Sequence, residues 1–300
     1  MGTVIELLIQ HERPTLILDE VVYRLMEYEH RFSANKQTSE LMAVNQNAGI
    51  RQVIVKPELF ELIKIGKDHS CAKDSNLNIA IGPLVQTWRI GFDDAKVPSD
   101  KEIKELLNIT NPNKILLNEM EQSVFLEEKG MSIDLGCLAK GFIADRIADY
   151  LKSQQVASAF INLGGNVIVF GPANNHPDLY WRIGIQNPTK ERNQSIITLK
   201  VRNQSVVTSG IYERSLTKYS QTYHHILDPH TGYPLKTDVA SLTIVSEKSC
   251  EGEVWTTRLF GKTSYEIIDK VNQLEGMEAL IITQTGQIIY SNELEKSIMK

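Results

Sequence analysis

The chain has 300 residues, 42% hydrophobic and 23% charged, which is the composition of a folded globular protein and excludes a disordered or collagen-like chain. Its 32 Lys and Arg stand against 37 Asp and Glu, a net charge of -5 with the signs mixed, so nucleic acid is not an expected partner. Cys71, Cys137 and Cys250 are far apart and form no CxxC pair, which argues against a disulfide framework or a thiolate zinc site.

In chain order, Val4 to Gln10 reads as a strand, and Pro14 leads into a helical pattern from Thr15 to about Arg31. Pro57 opens a second helix at a position where its missing N–H costs nothing. Ser99 and Glu102 have the spacing of a capping box for a short helix ending near Leu107. The clearest amphipathic stretch is Asp134 to Ser153, with Leu138, Phe142, Ile143, Ile147 and Leu151 on one side.

Strands dominate after it. Ala157–Ile161, Val167–Phe170, Trp181–Gln186, Ile196–Val201, Val206–Thr208 and Val239–Val245 are β-branched or aromatic runs between turn residues. Helices fit Ser249 to Phe260 and Ser264 to Leu274, and Gln284-Thr285-Gly286 joins two final strands as a hairpin. This mixed order has no regular βαβ alternation, which predicts an α+β fold in one continuous, two-lobed domain over residues 1–300. No apolar run approaches the roughly 20 residues that span a bilayer, and no basic leader is seen. The expected location is the cytoplasm.

Several segments hold more polar punctuation than a core requires. Asp134 to Gly141 sets an acid, Gly136 and Lys140 around a predicted helix start, where exposed N–H groups favour an anion. An N-capping Asp134 and a solvated Lys140 explain the same pattern. Asn162-Leu163-Gly164-Gly165-Asn166 allows close backbone approach to a ligand, or a plain turn. His224 and His225 follow each other on a short apolar strand, so at most one of them faces a given cleft. Glu253 and Thr257 are four apart on a predicted helix, a spacing that puts a carboxylate and a hydroxyl on one face. Both are hard oxygen donors of the kind Mg²⁺ takes, although most such pairs merely face solvent.

In this order the segments resemble the ApbE family of Mg²⁺-dependent FAD:protein FMN transferases. Met1-Gly2-Thr3, Arg31-Phe32-Ser33, Ser39-Glu40-Leu41, Val44-Asn45, Ile81-Gly82-Pro83-Leu84 and Trp88 match its earlier motifs. Asp134–Gly141, Asn162–Asn166, Thr208–Arg214 and His225–Gly232 match the later ones. The resemblance implies an ApbE-like (T-fold-like) domain with antiparallel sheets and packed helices. It further implies a reaction in which FAD and a Thr or Ser hydroxyl of an acceptor protein give FMN–protein and AMP. An FAD pyrophosphatase and a non-catalytic FAD-binding protein are the alternatives.

The same resemblance assigns roles. Asp134 and Lys140 fall where the family contacts FAD, as do Met1, Asn35, Asn76, Leu77, Asn78 and Ile226. Metal would be held by the Cys137 carbonyl, Glu253 and Thr257, with His225 and Glu253 as the catalytic residues. Four positions depart from the family pattern. Asn78 stands for an acid, Ala80 for Thr, Glu253 for Asp, and Asn35 for a frequent aromatic.

Overall fold

A computed structural model describes residues 3–218 and 220–299, so Met1 lies outside the described residues. The chain divides into two compact units. The first comprises residues 1–26, 140–210 and 237–300, and the second residues 27–139 and 211–236.

The first unit is built on a seven-stranded sheet in which every neighbouring pair is antiparallel. Its order is Ile5–Gln10, Ser158–Leu163, Asn166–Phe170, Gln204–Gly210, Val239–Ser246, Glu278–Thr283 and Ile288–Tyr290. The edge strand Ile5–Gln10 alternates half-buried and exposed positions, as one covered face requires. The interior strand Val239–Ser246 is buried at all eight positions, its five apolar residues sharing the interior with Ser241, Thr243 and Ser246. Among its few polar groups, the Thr243 hydroxyl meets that of Thr208 at 2.8 Å.

The hairpin Trp181–Gln186 with Ser195–Val201 adds Ile183, Ile185, Leu199 and Val201 to a core that includes Val167, Val206 and Leu280. The helices Ala139–Ser153 and Ser249–Leu259 belong to this unit from Lys140 onward. The final hairpin forms as expected, with the Thr283 amide donating to the Gln287 carbonyl and Gly286 at a φ of 83°.

The second unit carries the helices Glu40–Gln46, Pro57–Ser70, Gly82–Trp88 and Asp100–Leu107 beside a three-stranded sheet, Val53–Ile54, Ser123–Leu126 and Ile115–Asn118. Ser99 caps its helix by accepting from the Glu102 amide, but the Glu102 side chain pairs with Lys96 instead of closing the box. The strand expected to contain both histidines is Gln221–His224, paired with Ser215–Lys218, and it ends before His225.

A small core here joins Leu84, Trp88, Ile90, Ile103 and Leu227. Trp88 is 1% exposed, and its indole N–H donates to the Gly232 carbonyl at 2.8 Å. Gly232 has a φ of 74°, and a Cβ there would stand 2.5 Å from Ile103 Cγ2, so the turn requires glycine on both counts. Trp88→Phe is expected to cost about 2–4 kcal/mol in urea unfolding, through lost packing and an orphaned buried carbonyl. An unchanged midpoint would mean that the carbonyl finds another donor.

Among the described residues, no helix is long and apolar enough to cross a membrane.

Candidate active site

In the first unit the candidate residues meet where two helices begin. The expected helix over Asp134–Ser153 starts only at Ala139. The reason is local: Asp134 Oδ1 accepts the Gly136 amide at 2.7 Å, and this side-chain bond competes with a helical turn. Asp134 is therefore not the N-cap of that helix. Its first turn instead carries Lys140 and Gly141.

Both of those residues engage Glu253, which is 4% exposed on the helix Ser249–Leu259. Lys140 Nζ donates to Glu253 Oε1 at 3.0 Å, and the Gly141 amide donates to Oε2 at 2.9 Å. Lys140 Nζ also donates to Asn166 Oδ1 at 2.6 Å. Asn166 opens a strand buried along its whole length, and its own Nδ2 is buried without a hydrogen-bond partner. Lys140 is thus not a solvated surface lysine but one cation shared between two buried oxygen acceptors. Such charge-assisted bonds are the stronger kind.

Thr257 lies half-buried one turn beyond Glu253. Among the described residues, no group of three His, Cys, Asp or Glu side chains converges as a metal cage. A divalent cation here would rest on one carboxylate, hydroxyl or carbonyl oxygens, water and substrate phosphates, which is the usual manner of Mg²⁺. The donor chemistry fits. The Lys140 ammonium already shows that Glu253 accepts a cation at close range.

In the second unit, Asp134 and His225 share Arg214 as a neighbour. Crowding by protein atoms pushes the Asp134 carboxyl above its ordinary range, against the pull of the Gly136 amide and the Arg214 charge. His225 donates its backbone N–H to the Arg214 carbonyl at 3.2 Å and holds Nδ1 3.3 Å from the same oxygen. A carbonyl only accepts, so Nδ1 is the donor in that contact, and the neutral tautomer with a proton there has its lone pair on Nε2. His224 donates Nε2–H to the Leu235 carbonyl, and burial holds its pKa down. Ile226 is half-buried and accepts the Leu235 amide through its carbonyl.

The other predicted positions of that unit are more dispersed. Leu77 is wholly buried. Asn78 accepts the Ala80 amide and donates to the Thr110 carbonyl, so it caps the short turn Ile79–Ile81. Asn76 and Cys137 are half-buried, and Asn35 is exposed with its amide oxygen toward Gln86. Arg214, Asn166 and Asp145 were not among the predicted site residues. Asn166 and Arg214 had a signal, since each ends a polar segment already singled out; Asp145 had none, being one of two acids, with Asp149, on the helix Ala139–Ser153.

The chain-wide comparison decides the family. A family model described as the ApbE family matches residues 1–281. The chain belongs to the ApbE family. It is 40% identical to the FAD:protein FMN transferase of Klebsiella pneumoniae (strain 342) over 272 residues, 90% of this chain and 84% of that protein. It is 33% identical to the protein of the same name from Treponema pallidum (strain Nichols) over 297 residues, 94% of this chain and 82% of the relative. The crystal structure of the ApbE protein of Thermotoga maritima superposes with a TM-score of 0.89 at 27% identity, covering 100% of this chain and 97% of that one. The expected ApbE membership and the antiparallel α+β fold are both borne out.

Proposed function

We propose that this ApbE protein transfers the FMN moiety of FAD to a Thr or Ser hydroxyl of an acceptor protein and releases AMP. The observation that carries this reading is the 40% identity, over 90% of the chain, to a relative named FAD:protein FMN transferase. The acceptor oxygen attacks the FMN-side phosphorus, a new P–O bond forms, the bridging P–O bond breaks, and AMP leaves with the bridging oxygen. The hydroxyl proton must pass to a base.

His225 is the base in this scheme, because the Arg214 carbonyl fixes the tautomer that leaves Nε2 basic. Lys140 places a positive charge beside the phosphates, held in position by Asn166 and Glu253. Asp134, Met1, Asn35, Asn76, Leu77, Asn78 and Ile226 are the proposed FAD contacts. The Cys137 carbonyl, Glu253 and Thr257 would hold Mg²⁺, which when bound supplies neutralisation of the pyrophosphate charge.

Incubation with FAD and Mg²⁺, with and without an acceptor protein bearing a Thr or Ser flavinylation site, tests the proposal. AMP together with a fluorescent protein band is the expected result. AMP with free FMN in both samples would assign hydrolysis instead, and FAD binding without either product would overturn both enzyme readings. His225→Ala is expected to lower the transfer rate about 100-fold, within the range of general-base loss, while the FAD Kd from flavin fluorescence stays within about threefold. A weakened Kd at unchanged turnover would remove His225 from proton transfer.

A further inference from the structure

The two helices that bring Lys140 and Glu253 together are fastened at a second point that involves neither residue. The helix Ser249–Leu259 follows Lys248, whose side chain makes no capping hydrogen bond. Its first amides would be orphans, since an α-helix has no internal acceptors for them. Asp145, from the helix Ala139–Ser153, supplies both acceptors. Its Oδ1 takes the Ser249 amide at 2.8 Å, and its Oδ2 takes the Cys250 amide at 2.9 Å.

Asp145 lies four residues after Gly141, and Glu253 four residues after Ser249, so each pair shares a helix face. The result is a reciprocal exchange. The acid of each helix holds N-terminal amides of the other, at points one turn apart. The backbones touch between them, for a Cβ on Gly141 would stand 2.5 Å from the Ser249 carbonyl oxygen.

We infer that Asp145 is a positioning residue, whose carboxylate sets the rotation and height of the helix that presents Glu253 and Thr257 to a divalent cation. The inference rests on the metal reading given above. Two fastenings one turn apart fix a helix against sliding and turning, whereas one does not. A slip of one residue would move the ligands by about 1.5 Å and turn them by about 100°. Without Asp145 the fastening between these two helices falls to the bonds of Glu253 itself, which would then have to hold the neighbouring helix and the cation together.

The ionised carboxylate is also kept at a cost. Desolvation raises the Asp145 pKa to about 6, and the Cys250 and Ser249 amides offset this only in part. The charged groups that act on it are Asp149, on its own helix, which raises its pKa further, and Lys248, before the capped helix, which lowers it.

The test uses the full chain and Mn²⁺ as the probe, followed by electron paramagnetic resonance. Asp145→Asn keeps the shape but turns one acceptor into an N–H donor facing an amide. It is expected to weaken Mn²⁺ binding at pH 7.5 by about tenfold, the worth of one hydrogen bond to a charged group. At saturating Mg²⁺ its KM for FAD should stay within about twofold. The wild-type Mn²⁺ affinity should fall as pH drops through about 6, where Asp145 takes up its proton, and Asp145→Asn should lack that inflection.

Ser249→Pro gives an independent route if Asp145→Asn does not fold. Proline suits the first helical position, and Lys248 already has the extended backbone, φ -111° and ψ 138°, that precedes it well. It deletes one of the two amides and should weaken Mn²⁺ binding by about threefold. Wild-type Mn²⁺ affinity in the folded variants overturns the inference. Glu253→Gln separates the two levels of the argument. If it abolishes Mn²⁺ binding while Asp145→Asn binds normally, only the role of Asp145 fails; if it binds Mn²⁺ like wild type, the metal reading fails and takes the inference with it.

Discussion

Glu253→Gln is expected to reduce flavin transfer by at least about 100-fold, the scale on which losing one preorganised electrostatic group is felt. The substitution keeps the volume of the side chain and removes only its charge. In this protein that charge is 4% exposed and spends both oxygens, one on Lys140 at 3.0 Å and one on the Gly141 amide at 2.9 Å. A glutamine can accept with one atom and must donate with the other. Either the lysine or the amide then faces an N–H group.

Breaking one side of a buried ion pair generally costs about 3–5 kcal/mol. Lys140 keeps a side-chain exposure of 35% and a second acceptor in Asn166, which favours the lower end. The variant should therefore melt several degrees below wild type as well as lose turnover, read by circular dichroism and by AMP release. Loss of turnover at an unchanged melting temperature would separate the chemistry of Glu253 from its structural bond. Wild-type turnover would take Glu253 out of the site altogether.

That pairing also marks the boundary of what the sequence carries. Strands such as Val239–Ser246 were legible because β-branched runs report burial locally. The start of the helix at Ala139 was not, because the Asp134 carboxylate captured the Gly136 amide and stopped the periodic pattern from extending backward. His225 falls just past a strand that ends at His224, since the four-pair ladder of this two-stranded sheet stops where its partner Ser215–Lys218 begins. Lys140 and Glu253 are separated by 113 positions, and no spacing rule joins them; only the family resemblance placed both at one site. Asp145 lay outside even that resemblance. Its partners are 104 and 105 positions away, and its meaning is purely tertiary.

Gly141→Ala puts local propensity and tertiary contact in direct opposition. Inside a helix, alanine is better than glycine by about 1 kcal/mol, so propensity alone predicts a more stable protein. The surroundings predict the reverse. The added Cβ would lie 2.5 Å from the Ser249 carbonyl oxygen, 2.7 Å from its carbon and 2.9 Å from the Cys250 amide nitrogen. All three are backbone atoms, so no rotamer change relieves the contact and the helices must separate.

Separation lengthens the Gly141–Glu253 bond and the two amide bonds to Asp145 together, because all of them span the same helix pair. Overpacking of about 1–3 kcal/mol adds to weakened charge-assisted bonds worth about 1.5–3 kcal/mol each, and both exceed the propensity gain. Gly141→Ala is thus expected to lower stability by about 2–4 kcal/mol in urea unfolding and to weaken Mn²⁺ binding with it. A variant as stable as wild type would mean that the two helices do not need backbone contact, and the reciprocal fastening would lose its geometric basis.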